Sequence, residues 1–232
     1  MKAMKLQFLL ASILAASAAM FTPSASAQTT TPAASPSDLE AYYTSLIEKR
    51  TQDILTPLAL TDAAKSNEVY EIIIHQYRVM RARDMLIDAQ LEATGKEDIY
   101  ANRASLLEAD SKALHDYFFD RLSKLLTPEQ VDTIKDKMTY NKVKVTYDAY
   151  NSIIPGLTDA DKAKIMELLK EAREKAVDGG SASEKSAIFQ IYKNQINDYL
   201  NAHGHDVAKA YKEWEDKQAL AKKSDGAGAA VQ

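Results

Sequence analysis

The 232-residue chain has no cysteine. That absence removes a disulfide framework, a thiolate metal site and a thiol nucleophile together. It also removes the acceptor cysteine that a lipoprotein signal requires. Beyond the first 27 residues there is no apolar run long enough to span a bilayer, so no membrane anchor is expected. An excess of positive charge is missing as well: 29 Lys and Arg stand against 33 Asp and Glu, a net charge of −4. Affinity for a phosphate backbone comes from concentrated Lys and Arg, so no nucleic-acid partner is expected. The densest basic patch lies between Lys135 and Lys144. No Gly-rich phosphate loop, H-E-x-x-H or G-x-S-x-G is present. The missing motifs weaken an enzyme reading without removing it, because the paired carboxylates of glycosidases come from distant parts of a chain and carry no local motif.

Residues 1–27 read as a secretory signal. Lys2 and Lys5 supply a charged start, Leu6 to Ala19 a short apolar run, and Ala25-Ser26-Ala27 a small-x-small cleavage site. The expected location is periplasmic or secreted. Residues 28–37 (QTTTPAASPS) form a linker with little to bury and 222–232 a Gly/Ala-rich tail, both expected to be disordered. Between them, residues 38–221 are expected to fold as a single helical domain.

Apolar residues recur at helical spacing through most of that domain. A first helix is expected over 38–53 with Ser37 as its cap, a second from Thr61 to Thr94, and a third over 99–125. Thr127-Pro128-Glu129-Gln130 is the most legible local signal: a threonine cap, a proline at the first helical position, an acid facing the positive helix end and a glutamine that completes a capping box. The helix it starts fades at Thr139. Val143-Lys144-Val145 hints at a short extended segment, and residues 147–153 at a short helix stopped by Pro155. Thr158 caps the next helix, which ends at Gly179-Gly180. Ser183 caps another to Ala202, and a last one spans 206–221. The expected fold is all-α, a multi-helix bundle with an irregular tyrosine-rich segment near residues 139–157.

Ordered irregular chain is where binding groups often sit. Tyr140, Tyr147 and Tyr150 fall within that segment, and tyrosine joins an apolar ring for stacking to a hydroxyl for hydrogen bonding, which suits sugar rings. Arg173, Glu174 and Asp178 are placed to point towards the same passage from a helix end, with Lys185 as further electrostatic support. His203-Gly204-His205-Asp206 reads as a glycine helix stop followed by an aspartate cap, with no metal site assigned. His75 and His115 read as packed helix residues, and most of Arg78, Arg81, Arg83, Asp84 and Asp88 as a solvated face. No cofactor is expected.

From Lys135 to Tyr140 (KDKMTY), through Thr146-Tyr147-Asp148-Ala149-Tyr150, Ile154-Pro155-Gly156-Leu157-Thr158, Glu171-Ala172-Arg173-Glu174 with Asp178-Gly179, Ser183-Glu184-Lys185, Tyr192-Lys193 and Ile196 to Leu200 (INDYL), the chain resembles the bacterial family catalogued as domain of unknown function 3826. Ile47-Glu48-Lys49-Arg50 and Leu58-Ala59-Leu60-Thr61-Asp62 extend the resemblance to most of the domain. The family is known mainly from Bacteroidetes. The resemblance implies an exported helical protein with a suggested sugar-binding role. The chain departs from the family pattern after Lys185. There a histidine, a tryptophan and a glycine-lysine-tyrosine run would be expected, and Ser186, Ile188 and Gln190-Ile191-Tyr192 stand instead; Lys175 also replaces a histidine.

The first functional expectation is therefore an exported carbohydrate-associated binding protein, with an oligo- or polysaccharide partner. Two alternatives stay open: a glycan-active enzyme using carboxylates such as Glu174 and Asp178, and a helical periplasmic chaperone or interaction protein suggested by Leu126-Thr127-Pro128-Glu129-Gln130.

Overall fold

The computed structural model describes residues 35–94 and 112–228. Among these residues there are eight α-helices and no strand: α1 (Pro36–Leu55), α2 (Ala63–Thr94), α3 (112–123), α4 (Pro128–Met138), α5 (Lys142–Ile153), α6 (Asp159–Ala176), α7 (Ala182–Ala202) and α8 (Val207–Gly228). None is long and apolar enough to cross a membrane. The signal sequence, residues 28–34 of the linker and the start of the expected third helix lie outside the described residues. Helix α8 runs seven residues beyond its expected end at Ala221.

Four helices begin with the same device. In α1, α4, α6 and α7 a Ser or Thr accepts from the backbone three residues on, and the side chain at that position reaches back to the cap: Ser35 with Asp38, Thr127 with Gln130, Thr158 with Asp161, Ser181 with Glu184. The two serine caps sit two residues earlier than the sequence suggested. Pro36 decides the first, since its fixed φ suits the first helical position. The second follows from Glu184: three residues beyond Ser181 there is a carboxylate, whereas three beyond Ser183 there is only Ser186. Each displaced serine still bonds its neighbour, Ser35 to Ser37 at 2.8 Å and Ser181 to Ser183 at 2.9 Å.

The tyrosine-rich segment is mostly regular, which corrects the expectation of an irregular passage over 139–157. Residues 142–153 form α5, and Val143, Tyr150 and Ile153 on its inner face are buried. The alternation at Val143-Lys144-Val145 is too short to distinguish a strand from one turn of helix, and burial of that face decides for helix. Irregular backbone is confined to the Thr139–Asn141 turn and the connection around Pro155-Gly156. In the turn two successive residues, Tyr140 (φ 59°) and Asn141 (φ 53°), take the left-handed conformation. That conformation is uncommon outside glycine, and less so for asparagine.

Two apolar cores result. The first gathers Ile54 and Leu58 with Val69, Ile72, Ile73 and Met80 of α2, Phe118 and Leu122 of α3, and Ile134 and Met138 of α4. The second gathers Tyr150 and Ile153 of α5, Ile165 and Leu169 of α6, Phe189, Ile196 and Leu200 of α7, and Val207 of α8. Helix α6 packs most extensively on α7, and α4 against α6 joins the two halves. Val177, just past the end of α6, is 1% exposed and belongs to the first core although the rest of its helix serves the second. Burying such a side chain contributes about 1.5–3 kcal/mol.

Candidate functional site

Helices α1 and α2 lie side by side, pinned by polar contacts at the N-terminal half of α1. The Tyr43 hydroxyl donates to the Tyr77 carbonyl at 2.7 Å, the Arg81 guanidinium sits 4.0 Å over the Tyr43 ring, and Arg81 Nη1 donates to Glu40 Oε2 at 2.7 Å. Beside these contacts is a cavity of about 140 Å³, walled by Tyr43 and Arg50 of α1, by Tyr77, Arg81, Asp84 and Asp88 of α2, and by Gly180 from the α6–α7 loop. At roughly 30 Å³ per water this is room for about five waters. It is smaller than the ~300 Å³ at which drug-sized sites begin, so it suits a single small group.

The loop wall depends on glycine. A Cβ at Gly180 would lie 1.5 Å from Asp84 Oδ2, so any other residue would have to displace that carboxylate. Asp84 is held there by Arg83, which donates to Asp84 Oδ1 from Nε at 3.2 Å and from Nη2 at 2.9 Å; Nη2 also donates to the Asp178 carbonyl at 2.8 Å. Arg83 is 6% exposed, an exception to the solvated face expected of most of the charged residues around it. A guanidinium can occupy that position because both its neighbours accept from it. Burial pushes the Tyr77 hydroxyl up to about 12, against the pull of nearby Arg50, so this phenol stays protonated.

Behind the cavity the end of α6 ties the two halves together. Asp178 Oδ2 lies 2.9 Å from His115 Nδ1 of α3. Lys185, 4% exposed, donates to the carbonyls of Ala176 and Val177 at 3.1 and 2.9 Å. These carbonyls lie at the end of α6, where Ala176 also accepts from the Gly179 backbone at 3.0 Å, so the ammonium adds to the cap. Burial pulls Lys185 down to about 8, opposed by Asp178 and Glu184. One turn earlier, Arg173 donates to Asp136 Oδ1 at 2.9 Å and to Asp132 Oδ1 at 2.8 Å, both on α4. Lys135 of the same helix donates to Glu174 Oε2 at 2.6 Å while its ammonium lies 4.6 Å from the Phe119 ring centre.

Of the seven residues expected to form a site, four meet here, as structural ties. Arg173, Glu174, Asp178 and Lys185 each hold a partner on another element or cap a helix end. The three tyrosines do not converge with them. Tyr150 is 1% exposed, and its hydroxyl donates to Asn197 Oδ1 at 2.7 Å, a satisfied core residue. Tyr147 is half-buried against the second core. Tyr140 is 43% exposed in the turn after α4, close enough to Tyr77 to act on its hydroxyl. The residues that wall the cavity were not singled out together from the sequence, because no local pattern links positions 43, 50, 77 and 180. The available signal was polar and aromatic residues on otherwise inward helix faces, Tyr43 among them.

The histidine segment follows its helix-end reading. Gly204 takes φ 90° after α7, His203 Nδ1 lies 2.8 Å from the Tyr199 carbonyl, and His205 Nε2 lies 3.1 Å from Asp161 Oδ2. Among the described residues no group of three His, Asp or Glu could hold a metal ion. His75 is exposed, where the sequence suggested packing.

The profile of the family described as protein of unknown function (DUF3826) matches residues 44–219, three-quarters of the chain. The chain belongs to this family. The matched span of this DUF3826 member contains every helix from α2 to α7 and most of the cavity wall, with Tyr43 one residue outside it. Lys175 and Ser186, where the resemblance implied histidines, are exposed and do not line the cavity. No curated protein matches the chain.

Proposed function

We propose that this DUF3826 member is a binding protein that takes a small carbohydrate group in the α1–α2 cavity. The observation that carries the reading is the composition of that wall: two tyrosines, two arginines and two aspartates, with Met80, Met85 and Gly180, around a space the size of one small ring or end group. Aromatic faces with a few oriented polar groups are what sugar recognition uses. Binding is favoured over hydrolysis by the carboxylates once considered for catalysis. Glu174 and Asp178 each face a basic partner on a neighbouring helix, and neither lines the cavity. The proposed place of action is the periplasm or the exterior, after removal of residues 1–27, with an oligo- or polysaccharide offering its terminal residue.

The test is the melting temperature of the purified protein against a panel of mono- and oligosaccharides. A ligand that binds only the folded state, at about 100 times its dissociation constant, adds roughly 2.7 kcal/mol, a rise of several degrees for a domain of this size. The rise should shrink in Tyr43→Ala. No rise with any sugar, or one that Tyr43→Ala leaves untouched, overturns the proposal.

A further inference from the structure

The cavity wall is unevenly committed. Arg81 is paired with Glu40, and Asp84 with Arg83. The Tyr43 hydroxyl has given its proton to the Tyr77 carbonyl, which leaves only acceptor capacity. Asp88 is itself engaged. Two groups remain uncommitted among the described residues: the half-buried guanidinium of Arg50, which has neither ion pair nor hydrogen bond there, and the hydroxyl of Tyr77. Arg50 is close enough to both Tyr43 and Tyr77 to act on their hydroxyls. The uncommitted hardware is therefore rich in donors: a planar fork with up to five N–H groups and no acceptor, and a phenol O–H whose oxygen can also accept. A guanidinium fork complements a carboxylate, whose two oxygens accept two parallel bonds.

The opposite side of the wall has another character. Asp84 and Asp88 are both partnered already, but the two oxygens of a carboxylate offer about four acceptor sites, so each can take a further bond from a hydroxyl group, and the Tyr43 oxygen can do the same. A ligand that presents a carboxylate to Arg50 and hydroxyls to the aspartates matches both sides, whereas a plain carboxylate leaves the acceptors unused. From this arrangement we infer that the cavity selects a hydroxylated carboxylic acid of sugar size, a uronic acid end group, with Arg50 and Tyr77 holding the carboxylate. This rests on reading the cavity as the ligand site. It adds the substrate class and the residues that set it.

The experiment is calorimetric titration of the full protein with glucuronate and galacturonate, with their neutral counterparts glucose and galactose, with acetate, and with inorganic phosphate. The same titrations follow in Arg50→Gln and Tyr77→Phe. Among the described residues Arg50 has no partner to lose, and circular dichroism of both variants checks that they remain folded. The expected result is that one of the uronates binds at least about tenfold more tightly than its neutral counterpart, the size of a charge-assisted hydrogen bond. Arg50→Gln should erase that preference, and Tyr77→Phe should reduce it. Equal binding of a uronate and its neutral sugar overturns this inference and leaves the sugar-binding proposal standing. Acetate binding as tightly as the uronates overturns the sugar part and keeps the carboxylate role of Arg50. Phosphate competing equally with a uronate shows an unselective anion site and overturns the inference, and no binding by any probe overturns both readings.

Discussion

Asp161 shows how much one side chain can be asked to do in this protein. It completes the cap of α6, accepting from the Thr158 hydroxyl at 2.7 Å and the Thr158 backbone at 2.9 Å, and it also receives His205 from the α7–α8 connection. The Thr158 bonds, with His205 adding to them, hold its carboxyl at about 2, well below the ordinary 3.8. A carboxylate with a depressed folded pKa contributes stability that is complete above its unfolded value and is lost as pH falls through its folded value. The difference in urea midpoint between wild type and Asp161→Asn should therefore be full above about pH 4 and shrink steadily towards pH 2. A difference that stays constant across this range would show that the carboxylate charge has no part in it. Thr158 as a cap was readable from sequence, since caps are local; the His205 contact was not, because it joins residues 44 apart. Tyr150 failed as a site candidate for a related reason. A tyrosine on a short ambiguous segment looks available until Asn197, 47 residues on, is seen to take its hydroxyl.

Among the helices, α4 is the one whose start was written most plainly and whose cap reaches furthest. Besides closing the box with Thr127, Gln130 donates from Nε2 to the Leu58 carbonyl at 3.2 Å, so the cap also fastens α4 to the 3₁₀ turn Thr56–Leu58 that follows α1. Thr127→Ala should lower stability by about 1 kcal/mol, read as a lower denaturant midpoint at unchanged slope. Gln130→Ala should cost more than Thr127→Ala, because it removes the second tie as well; the reverse order would show that the Leu58 contact contributes nothing. Helix α5 marks the limit of such local reading. It has no capping side chain, and its first residue follows two left-handed residues, so the usual start signal is absent. Its helical state is decided by burial of Val143, Tyr150 and Ile153 against α6 and its neighbours, which is tertiary information.

At the scale of the whole chain, the all-α architecture was legible from periodicity and caps, but the division into two cores was not. Nor was the cavity, whose walls come from α1, α2 and a loop about a hundred residues further on. What couples the cores is charged: Arg173 to Asp132 and Asp136, Glu174 to Lys135, Asp178 to His115, Arg83 to the Asp178 carbonyl. Arg173 is buried while its partners are half-exposed, so its loss leaves carboxylates that water can reach. Arg173→Ala should then cost less than the ~3–5 kcal/mol of breaking a fully buried pair, about 1.5–3 kcal/mol for lost hydrogen bonds to charged groups. It should also loosen the coupling. Trp214, the single tryptophan, reports on α8 in the second half, while far-ultraviolet circular dichroism reports on every helix. The two unfolding curves should coincide in wild type and separate in Arg173→Ala. Curves that still coincide would place the coupling elsewhere.

The position of Val177 also sets an order in time. A chain is synthesised from its N-terminus, so α1 to α4 are complete and free to collapse while the residue that fills their core is still about forty positions behind Met138. Until that residue and the Arg83 and His115 contacts beside it arrive, the early helices share an apolar surface with a gap in it. The first core is thus complete only once the end of α6 has docked on it.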